Sequence, residues 1–139
     1  MTVSGFSLRR GALILAGAAF LALPATVALS SGIAALGTLE KGRWQVREMD
    51  GAVPQAAICL GDPAQLLQFA HRGGGGACRS EILESAGNSA TVQYRCPRRG
   101  FGHSHIRVET PRSVRVETQG LRNGRPFSYR LEAQRVGAC

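Results

Sequence analysis

Lysine is almost absent from this chain: sixteen of its seventeen basic residues are arginine, and Lys41 is the exception. The four glycines at 73–76 lack the Gly-Lys-Ser/Thr continuation of a phosphate loop, which also needs a strand before it and a helix after it. An expected helix precedes them and Cys78 follows, so they read as a flexible connector. The Gly-x-Ser-x-Gly elbow that presents a hydrolase nucleophile is missing as well. No two cysteines are closely spaced, as the Cys-x-x-Cys pairs of a four-cysteine zinc site are. Aromatic residues are few, and no stacking pattern surrounds the one dense basic cluster, Arg95, Arg98 and Arg99, which argues against nucleic-acid binding. There are no internal repeats beyond hairpins.

The charge is not lacking. Seventeen basic against nine acidic residues make a net +8, and losing Arg9 and Arg10 with an export segment leaves fifteen against nine, or +6. Such a balance favours anionic partners. Beside abundant glycine and alanine, however, the arginine preference reads as a GC-rich coding habit rather than a binding adaptation.

The N-terminus points to export. Residues 1–10 carry two arginines and no acid, and residues 11–29 run without a charge. A basic start, an apolar run and small residues after Pro24 describe a signal peptide over 1–30, cleaved after Ala25, Ala28 or Ser30. The alternative is an uncleaved anchor, because the uncharged stretch reaches Leu39 and exceeds the roughly 20 residues of a spanning helix. Pro24, Ser30, Ser31 and Gly32 interrupt it and favour cleavage. Residues 31–39 then read as a flexible leader, and 40–139 as a single β-rich domain.

Pairing is the strongest signal within that domain. Ser104–Thr110, Ser113–Gly120 and Pro126–Val136 read as three antiparallel strands. If Asn123-Gly124 makes a two-residue turn, Val116 faces Leu131, Val114 faces Ala133 and Thr118 faces Tyr129. On the other face Glu117 meets Arg130 and Arg115 meets Glu132. Apolar thus meets apolar and opposite charges meet, which is how cross-strand pairs stabilise a sheet, and a one-residue slip would ruin both sets. A turn near Pro111 pairs Val108 with Val114 and Ile106 with Val116. Earlier, Trp44 and Val46 alternate inward along a first strand, and Asp50-Gly51 marks a turn. A second strand at about Gln55–Leu60, with Pro54 near its start, suits a sheet edge. The expected helix is Pro63–His71, capped by Asp62, with Leu66, Leu67 and Phe69 as its apolar surface.

Residues 78–96 form a hairpin pattern centred on Gly87, which places Ile82 opposite Val92 and Cys78 opposite Cys96. That leaves Cys59 to pair with Cys139. Four cysteines in a short exported chain are read as two disulfides. The class expected is mainly β: a curved antiparallel meander or half-barrel of about seven strands with one short helix, preceded by the helical signal segment.

Gly42-Arg43-Trp44 near the mature start, the four cysteines, the hairpin between the middle two and the ending Arg135-Val136-Gly137-Ala138-Cys139 resemble an uncharacterised family of small exported bacterial proteins, domain of unknown function 3617. The resemblance spans roughly residues 38–139. It implies export and a small bridged β-rich domain, and it brings no activity or catalytic residues.

For function, His103 and His105 share a strand face but lack a third ligand nearby, so they read as surface histidines without metal. No catalytic residue, metal or cofactor is expected, and the chain reads as non-enzymatic. The first expectation is an envelope protein that holds a small apolar ligand on the apolar face of Trp44, Phe69, Ile106, Val108, Val116, Tyr129 and Leu131. The alternative is a protein–protein or inhibitor module that uses a sheet edge or loop tip. The site is expected to be periplasmic or secreted, with no nucleic acid bound and membrane contact only through the N-terminal segment before cleavage.

Overall fold

The computed structural model describes residues 33–51, 55–73 and 78–139. The signal segment 1–30, Pro54 and most of the glycine run lie outside the described residues. Seven strands are present: β1 (Gly42–Glu48), β2 (Ala56–Leu60), β3 (Arg79–Ala86), β4 (Ser89–Cys96), β5 (Gly100–Thr110), β6 (Ser113–Arg122) and β7 (Arg125–Gly137). They form one open antiparallel sheet in the order β2-β1-β7-β6-β5-β4-β3, with β2 and β3 at its two edges. Two short helices, α1 (Ala34–Gly37) and α2 (Ala64–Leu67), join it, with a turn of 3-10 helix at Phe69–His71. Among the described residues no helix is long and apolar enough to cross a membrane.

The expected registers are present. Asn123 and Gly124 take φ of 52° and 76°, the left-handed pair that the tight turn requires. Val116 faces Leu131, Val114 faces Ala133 and Thr118 faces Tyr129. Val108 faces Val114 and Ile106 faces Val116. In the first hairpin Ile82 faces Val92, but Leu83 is an extra residue that shifts the register before Glu84. The turn is therefore Gly87-Asn88, with Ala86 opposite Ser89, and is not centred on Gly87 alone. A bulge of this kind is common at sheet edges.

Both disulfides follow from that layout. Cys78 and Cys96 join β3 to β4 with Cα atoms 4.2 Å apart, and Cys59 and Cys139 tie edge strand β2 to the chain end at 5.7 Å. On the chain-entropy model the two are worth about 3 and about 4.5 kcal/mol.

Strand alternation buries one face. Trp44, Val92, Ile106 and Val114 are wholly inaccessible, and Val46, Val116, Leu131 and Ala133 nearly so. The helical residues Leu66, Leu67 and Phe69 cover this face. The expected helix over 63–71 is broken, however: α2 ends at Gln68 (φ −106°, ψ 22°) and a 3-10 turn follows. Nine residues are too few to hold an α-helix by their own bonds, so the fit to the sheet decides the path. Asp62 Oδ1 still accepts the Ala64 N–H at 2.9 Å at the start. Ser104, a polar residue in the apolar row of β5, donates to the Leu67 carbonyl at 2.6 Å. It thereby satisfies one of the carbonyls that a helix end leaves open.

The leader also differs from expectation. Residues 33–39 are folded against the core, with Ala35, Leu36 and Leu39 buried. A single helical turn presents Ala35 and Leu36 to the sheet, and Leu39 follows just beyond its end. Trp44 Nε1 donates to the Glu40 carbonyl at 3.0 Å and ties this segment to β1.

The opposite face is charged, but its ion pairs are not those expected from register. Glu117 and Arg130 are cross-strand neighbours, as are Arg115 and Glu132. Arg130 nevertheless makes a two-pronged contact with Asp50 in the turn after β1, with Nε at 2.9 Å. Glu132 is taken by Arg47 on its other side, at 3.0 Å, and Arg115 turns to Glu109 at 3.1 Å. A guanidinium gains more from presenting two N–H groups to one carboxylate than from a single lateral contact. The Arg130 hydrogen bond holds the Asp50 carboxyl below its ordinary value, and the Arg47 hydrogen bond does the same for Glu132.

The two faces should separate by mutation. Leu131→Ala is expected to destabilise the oxidised protein by about 2–5 kcal/mol, through lost transfer energy plus a cavity. Glu117→Ala should cost less than about 1 kcal/mol, since exposed pairs contribute little. Denaturant unfolding of both variants tests this, and equal losses would contradict the inside–outside assignment.

Candidate functional site

Among the described residues the apolar face is filled by the chain's own side chains. Trp44, Ile106, Val108, Val116 and Leu131 are gathered on one face as expected, and Tyr129 packs at its margin half-buried. Phe69, taken from sequence as part of a binding face, is instead part of the chain's own cover over it. Side chains at 0% exposure, such as Trp44 and Ile106, have no water-sized space against them.

The other expected residues are quickly placed. Cys59, Cys78, Cys96 and Cys139 are all in disulfides. His103 and His105 are exposed on the outward face of β5. His105 Nδ1 lies 3.0 Å from Thr91 Oγ1. Among the described residues no group of three or more metal-ligating side chains exists.

A different region stands out, the end of the sheet where β4 turns into β5 and β6 turns into β7. His71 organises it. The ring is only 4% exposed, at the end of the helix expected over 63–71. Its Nε2 lies 3.2 Å from both the Arg99 and Leu121 carbonyl oxygens, so this nitrogen carries hydrogen and donates. Its Nδ1 faces the Tyr94 hydroxyl at 3.2 Å and accepts from it in the neutral ring. One imidazole thus joins β4, the turn after it and β6. A spacing of four from buried Leu67 was the sequence sign that His71 faces inward.

Tyr94 fits only because position 102 is glycine. A Cβ there would run into the Tyr94 ring and hydroxyl. Burial pushes the Tyr94 hydroxyl above its ordinary value, against a smaller opposing effect from a hydrogen bond with Thr118.

Two arginines brace this corner. Arg99 Nη1 donates to the His71 carbonyl at 2.6 Å, and Arg122 Nη1 donates to the Ala70 carbonyl at 3.1 Å. Both serve carbonyls at the end of the 3-10 turn, where cations are favoured. Around them Arg72, Arg79, Arg95, Arg98 and Arg125 are exposed. Arg72 lies 4.0 Å over the Phe69 ring and Arg95 5.7 Å from the Phe101 ring, both in cation–π range. Phe101 is thus an aromatic partner for the basic cluster that the sequence reading did not identify. Partial burial lowers the Arg72 guanidinium from its ordinary value.

Six of these arginines lie in three segments that hold no acid, and Arg79 shares β3 with Glu81 and Glu84. All nine acidic residues are at positions 40, 48, 50, 62, 81, 84, 109, 117 and 132, outside the segments 70–73, 95–101 and 119–127. Glu81, two residues beyond Arg79, is the nearest along the strands. The ion pairs formed among the described residues use Arg47, Arg112, Arg115, Arg130 and Arg135 instead. Three clefts open at this end. One of about 290 Å³ is lined by Arg72, Arg99 and Arg122, one of about 430 Å³ by Arg122 and Arg125, and another of about 430 Å³ by Arg79, Arg95 and Arg98. Chemically the arrangement can bind anions by hydrogen-bonded charge pairing. No protein-family model, curated protein or solved structure matches the chain.

Tyr94→Phe tests the corner. It should cost about 1–3 kcal/mol at neutral pH by leaving His71 Nδ1 without its donor. Because the folded hydroxyl titrates above its unfolded value, its contribution is complete below pH about 10 and is lost as pH rises through the folded value. The variant lacks that titration, so its stability should decline less steeply than wild type above pH about 10. Circular dichroism with denaturant across that range decides, and parallel declines would refute the assignment.

Proposed function

We propose that the chain is an exported, non-enzymatic binding protein of the cell envelope that engages an anionic partner through the arginine end of its sheet. The observation that carries this reading is segregation: six arginines share one end of the fold in three segments that hold none of the nine acids, and Arg79 joins them at the start of β3. A coding bias raises the number of arginines but does not sort them to one end. Two bridged cysteine pairs suit an oxidising compartment and support export.

Arg98 adds a second support. Its φ is 60°, a left-handed conformation that glycine or asparagine adopts more cheaply. A side chain kept at a strained turn position is a hint of use. The alternative of an apolar ligand on the sheet face has Leu66, Leu67 and Phe69 already in the ligand's place. Docking along the free edge of β3 has exposed Ile82 and Leu83 in its favour. Against it stand the bulge at Leu83 and the charges of Glu81 and Glu84, devices that blunt an edge against pairing.

Position, not count, is the test. Binding to heparin, a soluble polyanion, should weaken roughly tenfold in an Arg95→Gln/Arg98→Gly protein, which is about 0.7 kcal/mol for each of the two exposed contacts. An Arg47→Gln/Arg115→Gln protein loses the same charge elsewhere and should bind like wild type. Equal losses in the two would overturn the reading. Arg98→Gly should also keep or gain stability, since it removes a left-handed side chain.

A further inference from the structure

One residue pair inward from the arginine tips, the outward face of the sheet is apolar. Phe101 pairs with Leu121, and Leu121 with Pro126. Phe101 is 37% exposed, Pro126 exposed and Leu121 half-buried. Arg95 flanks the row as the β4 neighbour of Phe101. The next outward row is Gln93, His103, Gln119 and Ser128, all polar. The apolar row is therefore confined to the arginine end, and Phe101 keeps 37% of its surface exposed beside the Arg95 guanidinium.

Resting on the function proposed above, we propose that this end docks on an anionic phospholipid bilayer, with Phe101, Leu121 and Pro126 in the interfacial layer and the arginines on lipid phosphates. Three arginine-lined clefts set around one end suit a surface of repeated anionic groups, where a lone small anion would occupy one of them. The apolar row lies about 3.3 Å, one strand residue, from the arginine tips. A bilayer offers phosphate and apolar matter within a few ångströms of each other, at the depth where amphipathic surfaces settle. Arginine can also lay its stem along apolar matter while its head stays with phosphate. A polysaccharide or nucleic acid supplies charge but no apolar layer for Leu121 and Pro126. An acidic protein would have to match all three clefts at once, whereas mobile lipids adjust one phosphate at a time.

The test uses the protein as recovered after export, with Phe101→Trp, Phe101→Ser and Arg98→Gly variants. Each is mixed with phosphatidylcholine vesicles that contain or lack phosphatidylglycerol, and separately with heparin. If a retained N-terminal segment carries every form to both vesicle types, the quenching of the Phe101→Trp emission, and not the extent of binding, is the readout. Binding should require phosphatidylglycerol. The Phe101→Trp emission should shift to the blue and be quenched by lipids brominated high on the acyl chain, over a background from Trp44, which is 0% exposed. Phe101→Ser should weaken vesicle binding about tenfold while leaving heparin binding unchanged. Arg98→Gly should weaken vesicle binding about fivefold. Vesicle binding indifferent to Phe101→Ser, an unquenched Phe101→Trp emission, or capture by an acidic protein with vesicles unbound would overturn the inference. Heparin binding retained in any of those cases would leave the anion-binding reading standing. Loss of both vesicle and heparin binding would remove the two together.

Discussion

An open sheet with one apolar face has to cover that face, and here the chain has little to do it with. Among the described residues there is no second sheet, and the helical segments are single turns at Ala34–Gly37 and Ala64–Leu67 with a 3-10 turn at Phe69–His71. None of these would persist alone. Each is held by what it buries: Ala35, Leu36 and Leu39 from one side, and Leu66, Leu67 and Phe69 from the other. Covering the face thus puts the chain's own side chains where an apolar ligand would lie. The same constraint explains the polar residues inside, because short helical turns leave open carbonyls. Ser104 answers Leu67, Arg122 answers Ala70 and Arg99 answers His71. Two of those three donors are arginines, so the device that seals the core also begins the basic end.

Edges pose the second problem. A free strand edge invites pairing with another chain. Strand β2 is short, and its Cys59 is bonded to Cys139 at the chain end. Strand β3 is long and exposed, but its bulge shifts the register, its two glutamates charge the edge, and Cys78–Cys96 pins its start to β4. The bridges therefore act at both margins of the sheet, where local unfolding would otherwise begin.

Much of this was legible in the sequence, and the reason is period two. Once Asn123-Gly124 is taken as the turn, every pair from Val114–Ala133 to Thr118–Tyr129 follows, because a slip by one would turn all the apolar residues outward. The cysteine pairing followed from a register of the same kind. What was not legible depends on three-dimensional choice. Whether Arg130 bonds to Glu117 beside it or to Asp50 in a turn is decided by how a long side chain best presents two N–H groups. The leader was misjudged, and the place of His71 went unread, because short apolar segments carry no period of their own, and only the sheet shows which side they turn to it. Even so, His71 lies four residues from Leu67, and extending the Ile106–Val116 register would have brought Gly100 to Arg122.

That extension bears on how the arginines are understood. Read along the chain, Arg72, Arg79, Arg95, Arg98, Arg99, Arg122 and Arg125 are scattered across more than fifty residues and look like composition. A meander folds them together because every second turn of an antiparallel sheet returns to the same end. Residues just before one turn and just after the next but one become neighbours without any motif to announce them. The acids are sorted by the same geometry: Glu109, Glu117 and Glu132 fall in strand interiors or toward the opposite turns. Composition sets how many charges there are, and topology sets where they stand. An end that gathers arginines, keeps one of them in a left-handed turn and exposes Phe101 beside them has a chemistry that the totals of the sequence do not contain.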